Sequence, residues 1–255
     1  MLQPKILVKK QLAPEDIEIS FSQAQRKSSK EIEDIIEQEW NNLVAECKKR
    51  NIKIWNGRIK CLNSFEFDNQ KLKLNLGETT FKELIGTHAH SNNVCEKFGK
   101  EYSAKGMHVG GLVITKDNYF VFGKRRWRKT SDAGGKISVF GGLLDEDWPI
   151  QESKDLFKAF EGELKQELGI KQKHIQNTKF LAFIRTIKGK YAFYFLTNLS
   201  ISKSQTEKAF RNNADDEHEK ILFCQNNAKN IKLFLSKHKD KICSSVKIAL
   251  KSVNL

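Results

Sequence analysis

No stretch of this chain reaches the roughly 18 consecutive apolar residues that a membrane-crossing helix needs, so no membrane partner is expected. The first ten residues, Met1 to Lys10, lack the apolar core and small-residue cleavage site of a secretory leader. Cysteine is sparse: Cys47, Cys61, Cys95, Cys224 and Cys243 are scattered, odd in number and never spaced as a C-x-x-C pair. That pattern argues against a disulfide framework or a zinc site, and for the reduced thiols of a cytoplasmic protein. His88 and His90 resemble a metal pair, but no third His or Cys stands at a familiar spacing. The phosphate loop ending in Lys-Ser/Thr is missing, as is the nucleophile elbow of serine hydrolases. There is no internal repeat and no linker rich in proline, glycine or serine, so domain boundaries are soft.

What is present is enough for a full core: 255 residues, 39% of them hydrophobic. One large domain, or a domain of about 150 residues with a smaller companion, fits that length. The net charge of +14 has two readings. Lysines such as Lys229, Lys232, Lys237, Lys239 and Lys241 fit a solvated face; the alternative is attraction for phosphorylated metabolites or nucleic acid. Charge alone does not separate them.

Periodicity divides the chain. Residues from about 5 to 21 alternate as strands, and Ser28 with Glu31 forms a capping-box signature ahead of helically spaced Ile32, Ile35, Ile36, Trp40, Leu43, Val44 and Cys47. Asn56-Gly57 marks a turn between two short strands; Leu72, Leu74 and Leu76 alternate, and a short helix is expected from Thr79 to Ile85. Residues 1–87 thus read as a small α/β unit. In residues 88–255, strands are expected at Val109 to Thr115 and Tyr119 to Lys124, joined at Asp117-Asn118, and at Ile137 to Phe140. A helix from Ser153 to Leu168 stops at Gly169, and strands Phe180 to Thr186 and Tyr191 to Thr197 meet through Lys188-Gly189. A helix from Ser204 to Arg211, capped by Ser204 and Glu207, a strand at Ile221 to Phe223 and a long helix from about Asn230 close the chain. Strands interrupted by helices predict an α/β fold, an α/β/α sandwich on a mixed sheet.

The chemistry lies between Gly141-Gly142 and Ile170. Leu156, Phe157, Phe160, Leu164 and Leu168 mark one apolar side of the helix, while Glu163 and Glu167, four apart, stand one above the other. Two such carboxylates repel unless a cation sits between them, and their hard oxygens suit Mg²⁺ or Mn²⁺. Read alone, such a pair is more often an ordinary acidic helix face.

With the preceding glycines, the stretch resembles the signature box of the Nudix hydrolases, which ends in Arg-Glu-apolar-x-Glu-Glu-x-Gly-apolar. Gly142 takes the place of the opening glycine, and Glu163, Leu164, Glu167, Gly169 and Ile170 match the closing part in register. Gly162 stands at the Arg position, Gln166 replaces the first paired glutamate, and the box is expanded, so that Glu152 reaches its first glutamate position only across an insertion. A glycine inside a helix costs about 1 kcal/mol relative to alanine, with no local benefit visible in the sequence. The chain further resembles the Nudix branch that hydrolyses UDP-glucose and UDP-galactose, itself carrying a degenerate, expanded box. This likeness covers roughly residues 30 to 250. It includes Trp40-Asn41, Trp55-Asn56-Gly57, the run Phe81 to Thr87, Val121-Phe122-Gly123-Lys124-Arg125, Leu156-Phe157, and the acidic stretch before Ile221-Leu222-Phe223.

The resemblance implies a Nudix-type sandwich over residues 88–255 and Mg²⁺- or Mn²⁺-dependent hydrolysis of a small-molecule nucleoside diphosphate derivative. Glu163 and Glu167 inherit the metal and catalytic roles. Glu217, in Asp215-Asp216-Glu217, is a third acidic candidate, with Asp216 its rival and a solvated loop the alternative. Lys124, Arg125 and Arg126, in a basic run continuing through Trp127, Arg128 and Lys129, together with Lys136, Gly141 and Gly142, are the expected substrate-binding groups. UDP-sugar is the first substrate expected; ADP-ribose, a dinucleotide or capped RNA are alternatives, as is a nucleotide- or RNA-binding module without turnover.

Overall fold

The protein is described by a computed structural model over residues 4–23, 26–89, 91–127, 133–186 and 189–253. Strands β1 (Lys5–Val8) and β2 (Ile17–Phe21) precede helix α1 (Lys30–Lys49). Strands β3 (Arg58–Asp68) and β4 (Lys71–Thr80) run into helices α2 (Phe81–Ala89) and α3 (Ser91–Lys97). The second part holds β5 (Met107–Ile114), β6 (Tyr119–Arg125), β7 (Ile137–Ser138), α4 (Ser153–Leu168), β8 (Ile175–Arg185), β9 (Tyr191–Leu199), α5 (Lys203–Asn213), β10 (His218–Gln225), α6 (Ala228–Lys237) and α7 (Ser244–Ser252).

Among the described residues, seven strands form the larger sheet, ordered β1-β8-β9-β5-β6-β10 with β7 alongside β6. The β5–β9 pair is parallel and its neighbours antiparallel, so the sheet is mixed as expected. Alternate residues of each strand face opposite sides, and each face has its own core. Phe180, Phe193 and Phe195 pack with Leu156, Phe160 and Leu164 of α4 on one side. Phe122, Leu181 and Tyr194 pack with Ile231 of α6 and Val246, Ala249 and Leu250 of α7 on the other. The result is an α/β/α sandwich.

A smaller sheet, ordered β2-β4-β3, lies beyond it, and its Leu62, Leu72, Leu74 and Leu76 join the same core as α4. β1 pairs with β8 at the edge of the larger sheet, so the chain's first strand is built into the sandwich. Lys60 N donates to Leu144 O at 2.7 Å and Ile59 bridges Asp145, which laces β3 to the segment after Gly142.

Several local expectations shift. The cap of α1 is Ser29, which accepts from Ile32 N, while Ser28 Oγ binds Glu33. α5 is capped by Ser202 with Gln205, two residues before the expected pair. Asn56-Gly57 does not turn a hairpin: the chain before β3 is irregular and Asn56 Oδ1 accepts from Lys82 N at 2.8 Å. The hairpin falls between β3 and β4, where Asn69 and Gln70 both take positive φ (47° and 68°), the conformation a two-residue turn demands. The long terminal helix is two helices. Ile137 of β7 donates to Lys241 O and accepts from Cys243 N, drawing residues 241–243 out of helical geometry into the sheet. Lys188, Arg128, Lys129 and His90 lie outside the described residues.

Candidate active site

Helix α4 begins with the Asp155 carboxylate accepting from the backbone N–H groups of Gln151 and Glu152, both at 3.0 Å, and ends at Gly169 in the left-handed region. Leu156, Phe160, Leu164 and Leu168 anchor it to the sheet, which turns Glu163 and Glu167 inward. Both are buried, Glu163 at 8% and Glu167 at 1% exposure, so the solvated-face reading fails for this pair.

Each carboxylate is held from outside the helix. Gly141 N donates to Glu167 Oε2 at 2.7 Å, from a backbone at φ +136° that side-chain-bearing residues rarely adopt. A Cβ on Gly142 would sit 2.5 Å from Glu163 Oε1, so the glycine makes room for that carboxylate. Trp148 Nε1 donates to Glu163 Oε1 at 2.7 Å. The six-membered ring of the same indole packs against Gly162, where any Cβ would overlap it. The glycine at position 162 therefore has a structural reason: it seats the tryptophan that orients Glu163, and Trp148 lies in the segment between Gly142 and the helix.

Burial, opposed by the Trp148 hydrogen bond and aided by the charges of Glu217, Asp145 and Asp215, pushes the Glu163 carboxyl up to about 7. Burial, with Glu217 and Glu163 adding to it, raises Glu167 well above the ordinary carboxylate range. The charge of Glu217 thus acts on both carboxylates. The residue is held in place by Arg125, which donates to Glu217 Oε1, and by Glu217 N bonding to Asp215 Oδ1 at 3.0 Å. Asp215 N in turn donates to Gln166 O at 2.8 Å, fastening the acidic segment to α4. The Gln166 side chain points to solvent.

Arg125, Glu217, Gly141 and Gly142 thus gather around Glu163 and Glu167. The remaining basic residues are engaged otherwise: Lys124 pairs with Glu219, and Arg126 with Asp216 at 2.9 Å. Lys136 is exposed on the approach to β7. Glu152 sits at the start of α4, about 16 Å along the axis from Glu163, and is not part of the cluster. His88 is buried in α2, its Nε2 2.6 Å from Ala104 O, in a structural role.

Two neighbours were not singled out from the sequence. Trp148 is one. The other is His218, fully enclosed, with Nδ1 3.9 Å from Glu167 Oε1, Nε2 3.5 Å from Ser138 Oγ and its ring edge on Phe140. Burial, reinforced by Arg125, drives its pKa down to about 3, so the ring is neutral. The glycine at position 162 and the histidine directly after Glu217 were the available signals.

The residues fit a divalent cation. Glu167 Oε1 is buried without a hydrogen-bond partner, a costly arrangement unless something else satisfies the oxygen, and the donors are hard carboxylates. Among the described residues, no three His, Cys, Asp or Glu side chains gather to enclose a metal by themselves. A Mg²⁺-like ion, which keeps several water or phosphate ligands, matches such an open site better than a caged one.

No protein-family profile matches the chain, and no curated protein does. Among solved structures, it is similar to a bifunctional NMN adenylyltransferase/ADP-ribose pyrophosphatase from Francisella tularensis (15% identity over 64% of this chain and 47% of that one, TM-score 0.37). It is also similar to the NUDIX domain of Shewanella oneidensis NrtR, solved with ADP-ribose (9% identity, 65% and 96% covered, TM-score 0.41). A third is a NUDIX hydrolase from Nitrosomonas europaea (12% identity, 53% and 90% covered, TM-score 0.29). The chain spans about half the length of the Francisella protein. What the site can do is read from its own side chains.

Proposed function

We propose that this protein hydrolyses the diphosphate bond of a nucleoside diphosphate derivative, with Glu163 and Glu167 holding a divalent metal. The observation that carries this reading is the buried carboxylate pair on adjacent turns of α4, with Glu167 Oε1 unpartnered beside the Gly141-Gly142 loop. A metal bound there would offset the phosphate charge and lower the pKa of a coordinated water. The chain's own contributions are positional. Trp148 and Gly141 fix the two carboxylates, and Gly142 keeps the space in front of Glu163 clear. Arg125, already drawn to Glu217, supplies fixed positive charge where phosphate oxygens would lie. In the overall reaction water adds to one phosphorus, the bridging P–O bond breaks, and the departing phosphate takes the electron pair.

A UDP-sugar, giving UMP and sugar 1-phosphate, is the first substrate to test, on the sequence resemblance alone. Hydrolysis of UDP-glucose, ADP-ribose, a dinucleoside polyphosphate and capped RNA should be measured with and without Mg²⁺. The expected result is Mg²⁺-dependent turnover of at least one of them, lowered on the order of a hundredfold or more by Glu163→Gln or Glu167→Gln, as second-sphere losses alone reach 10–100-fold. Turnover that survives both substitutions would remove the metal assignment. RNA binding that falls steeply with salt, without turnover, would favour a binding module.

A further inference from the structure

Close to the carboxylate pair, a groove of about 180 Å³ opens between the N-terminal part of the chain and the segment after Gly142. Its floor is Leu143 and Asp145, the first of them the direct neighbour of the glycine that faces Glu163. Asp145 lies near enough that its charge raises the Glu163 carboxyl. The Gly142–Asp145 segment therefore links the groove floor to the carboxylate pair. The opposite wall comes from the irregular stretch before β3 and from Phe81 at the start of α2.

Trp55 is the unusual feature of that wall. At 68% exposure it is more open than any other described aromatic side chain, with Trp127 next at 63%. Its indole nevertheless has a fixed seat, folded over Gly57, where a Cβ would lie 2.7 Å from Nε1. An aromatic ring backed by the chain and open in front is a stacking platform. Lys53 and Arg58 flank it; the Arg58 side chain is 72% exposed and only loosely paired, at 3.8 Å to Glu78 and 3.9 Å to Glu146. An apolar slot with an aromatic platform, two cations and one acceptor suits a planar, hydrogen-bonding ring attached to an anion.

We propose that this groove seats the nucleoside half of the substrate, its base stacked on Trp55 and its phosphates leading over Leu143 to Asp145 toward Glu163. The proposal rests on the diphosphate-hydrolase reading for its direction, but the groove can be tested without turnover. It also gives the first part of the chain a role in the site: α1, β3 and α2 place the pocket wall.

The test is binding of UMP, AMP and ribose 5-phosphate to the full chain by calorimetry in metal-free buffer. The proteins compared are wild type, Trp55→Ala and Trp55→Phe. A nucleotide should bind and ribose 5-phosphate should bind far more weakly. Stacking on an aromatic side chain is worth about 1–3 kcal/mol, so Trp55→Ala should weaken nucleotide binding by roughly tenfold or more while Trp55→Phe retains most of it. Trp55 is exposed, so equal melting temperatures should show that its variants fold. Nucleotide binding unchanged in Trp55→Ala, or ribose 5-phosphate bound as well as UMP and AMP, would overturn the proposal; so would a wild type that binds no nucleotide. The two readings fail separately. Trp55-dependent binding without any hydrolysis leaves the groove and removes the enzyme, whereas glutamate-dependent hydrolysis with a KM indifferent to Trp55→Ala does the reverse.

Discussion

An alanine at position 162 would ordinarily strengthen α4 by about 1 kcal/mol, but its Cβ would overlap the Trp148 ring. Either the indole moves, and its hydrogen bond to Glu163 lengthens, or the helix shifts away. Overpacking of this kind costs about 1–3 kcal/mol, so Gly162→Ala should lower stability in urea denaturation despite the better helix former. Removing the ring should relieve the clash: Gly162→Ala with Trp148→Ala should be less destabilised than the two single losses added together. Strict additivity would show that the two residues do not act on each other. The sequence displayed Gly162 as a defect in a helix. Its cause lies fourteen positions earlier, in a loop whose path no local pattern specifies.

At the level of elements, helix α4 was legible to its ends. Its apolar spacing, its start after Glu152 and its stop at Gly169 are all signals that act within one or two turns. The caps of α1 and α5 were misplaced by one and two residues because several Ser and Gln or Glu candidates stand in a row there. Only the chain's approach direction selects among them. The α1–α2 contact was not visible at all. A Cβ on Gly86 would lie 2.6 Å from Ile36 Cα, so the two helices meet at the backbone of α1. Gly86→Ala should force them apart and cost about 1–3 kcal/mol, outweighing the helix-propensity gain. A more stable protein in urea titration would refute that packing. If α1 and α2 also place the groove wall, the same variant should weaken nucleotide binding.

On the scale of the whole molecule, the net charge of +14 conceals a site where negative charge is concentrated and buried. In the metal-free protein this has a calculable sign. The Glu163 carboxyl titrates near 7 in the fold against an ordinary 4.5, so between those values the folded chain holds a proton that the unfolded chain has released. Stability from this group is complete below about 4.5 and is lost as pH rises through about 7. Glu167 acts in the same direction, whereas buried neutral His218 costs stability as pH falls below 6.5 toward about 3. Glu163→Gln keeps an acceptor for Trp148 and removes the titration. Thermal melts of metal-free protein should therefore show the variant gaining on the wild type from pH 5 to pH 8, by up to roughly 3 kcal/mol. A constant difference across that range would mean Glu163 is not buried as described. Added Mg²⁺ should stabilise the wild type at pH 8, by about 2.7 kcal/mol at a hundredfold excess over its dissociation constant, and leave Glu167→Gln nearly unmoved.

The sequence by itself determined the mixed α/β sandwich, the extent of α4 and the alignment of Glu163 with Glu167. Hydrophobic period, capping residues and i,i+4 spacing are properties of neighbouring residues and survive without the rest of the chain. Tertiary structure decided the remainder. It built β1 into the large sheet beside β8, broke the final helix where residues 241–243 pair with Ile137, and matched Arg125 to Glu217 across ninety-two positions. It also buried the carboxylate pair, which turned an acidic helix face into a candidate metal site. Those outcomes depend on which surfaces meet once the core closes, and packing across such separations leaves no periodic trace along the chain.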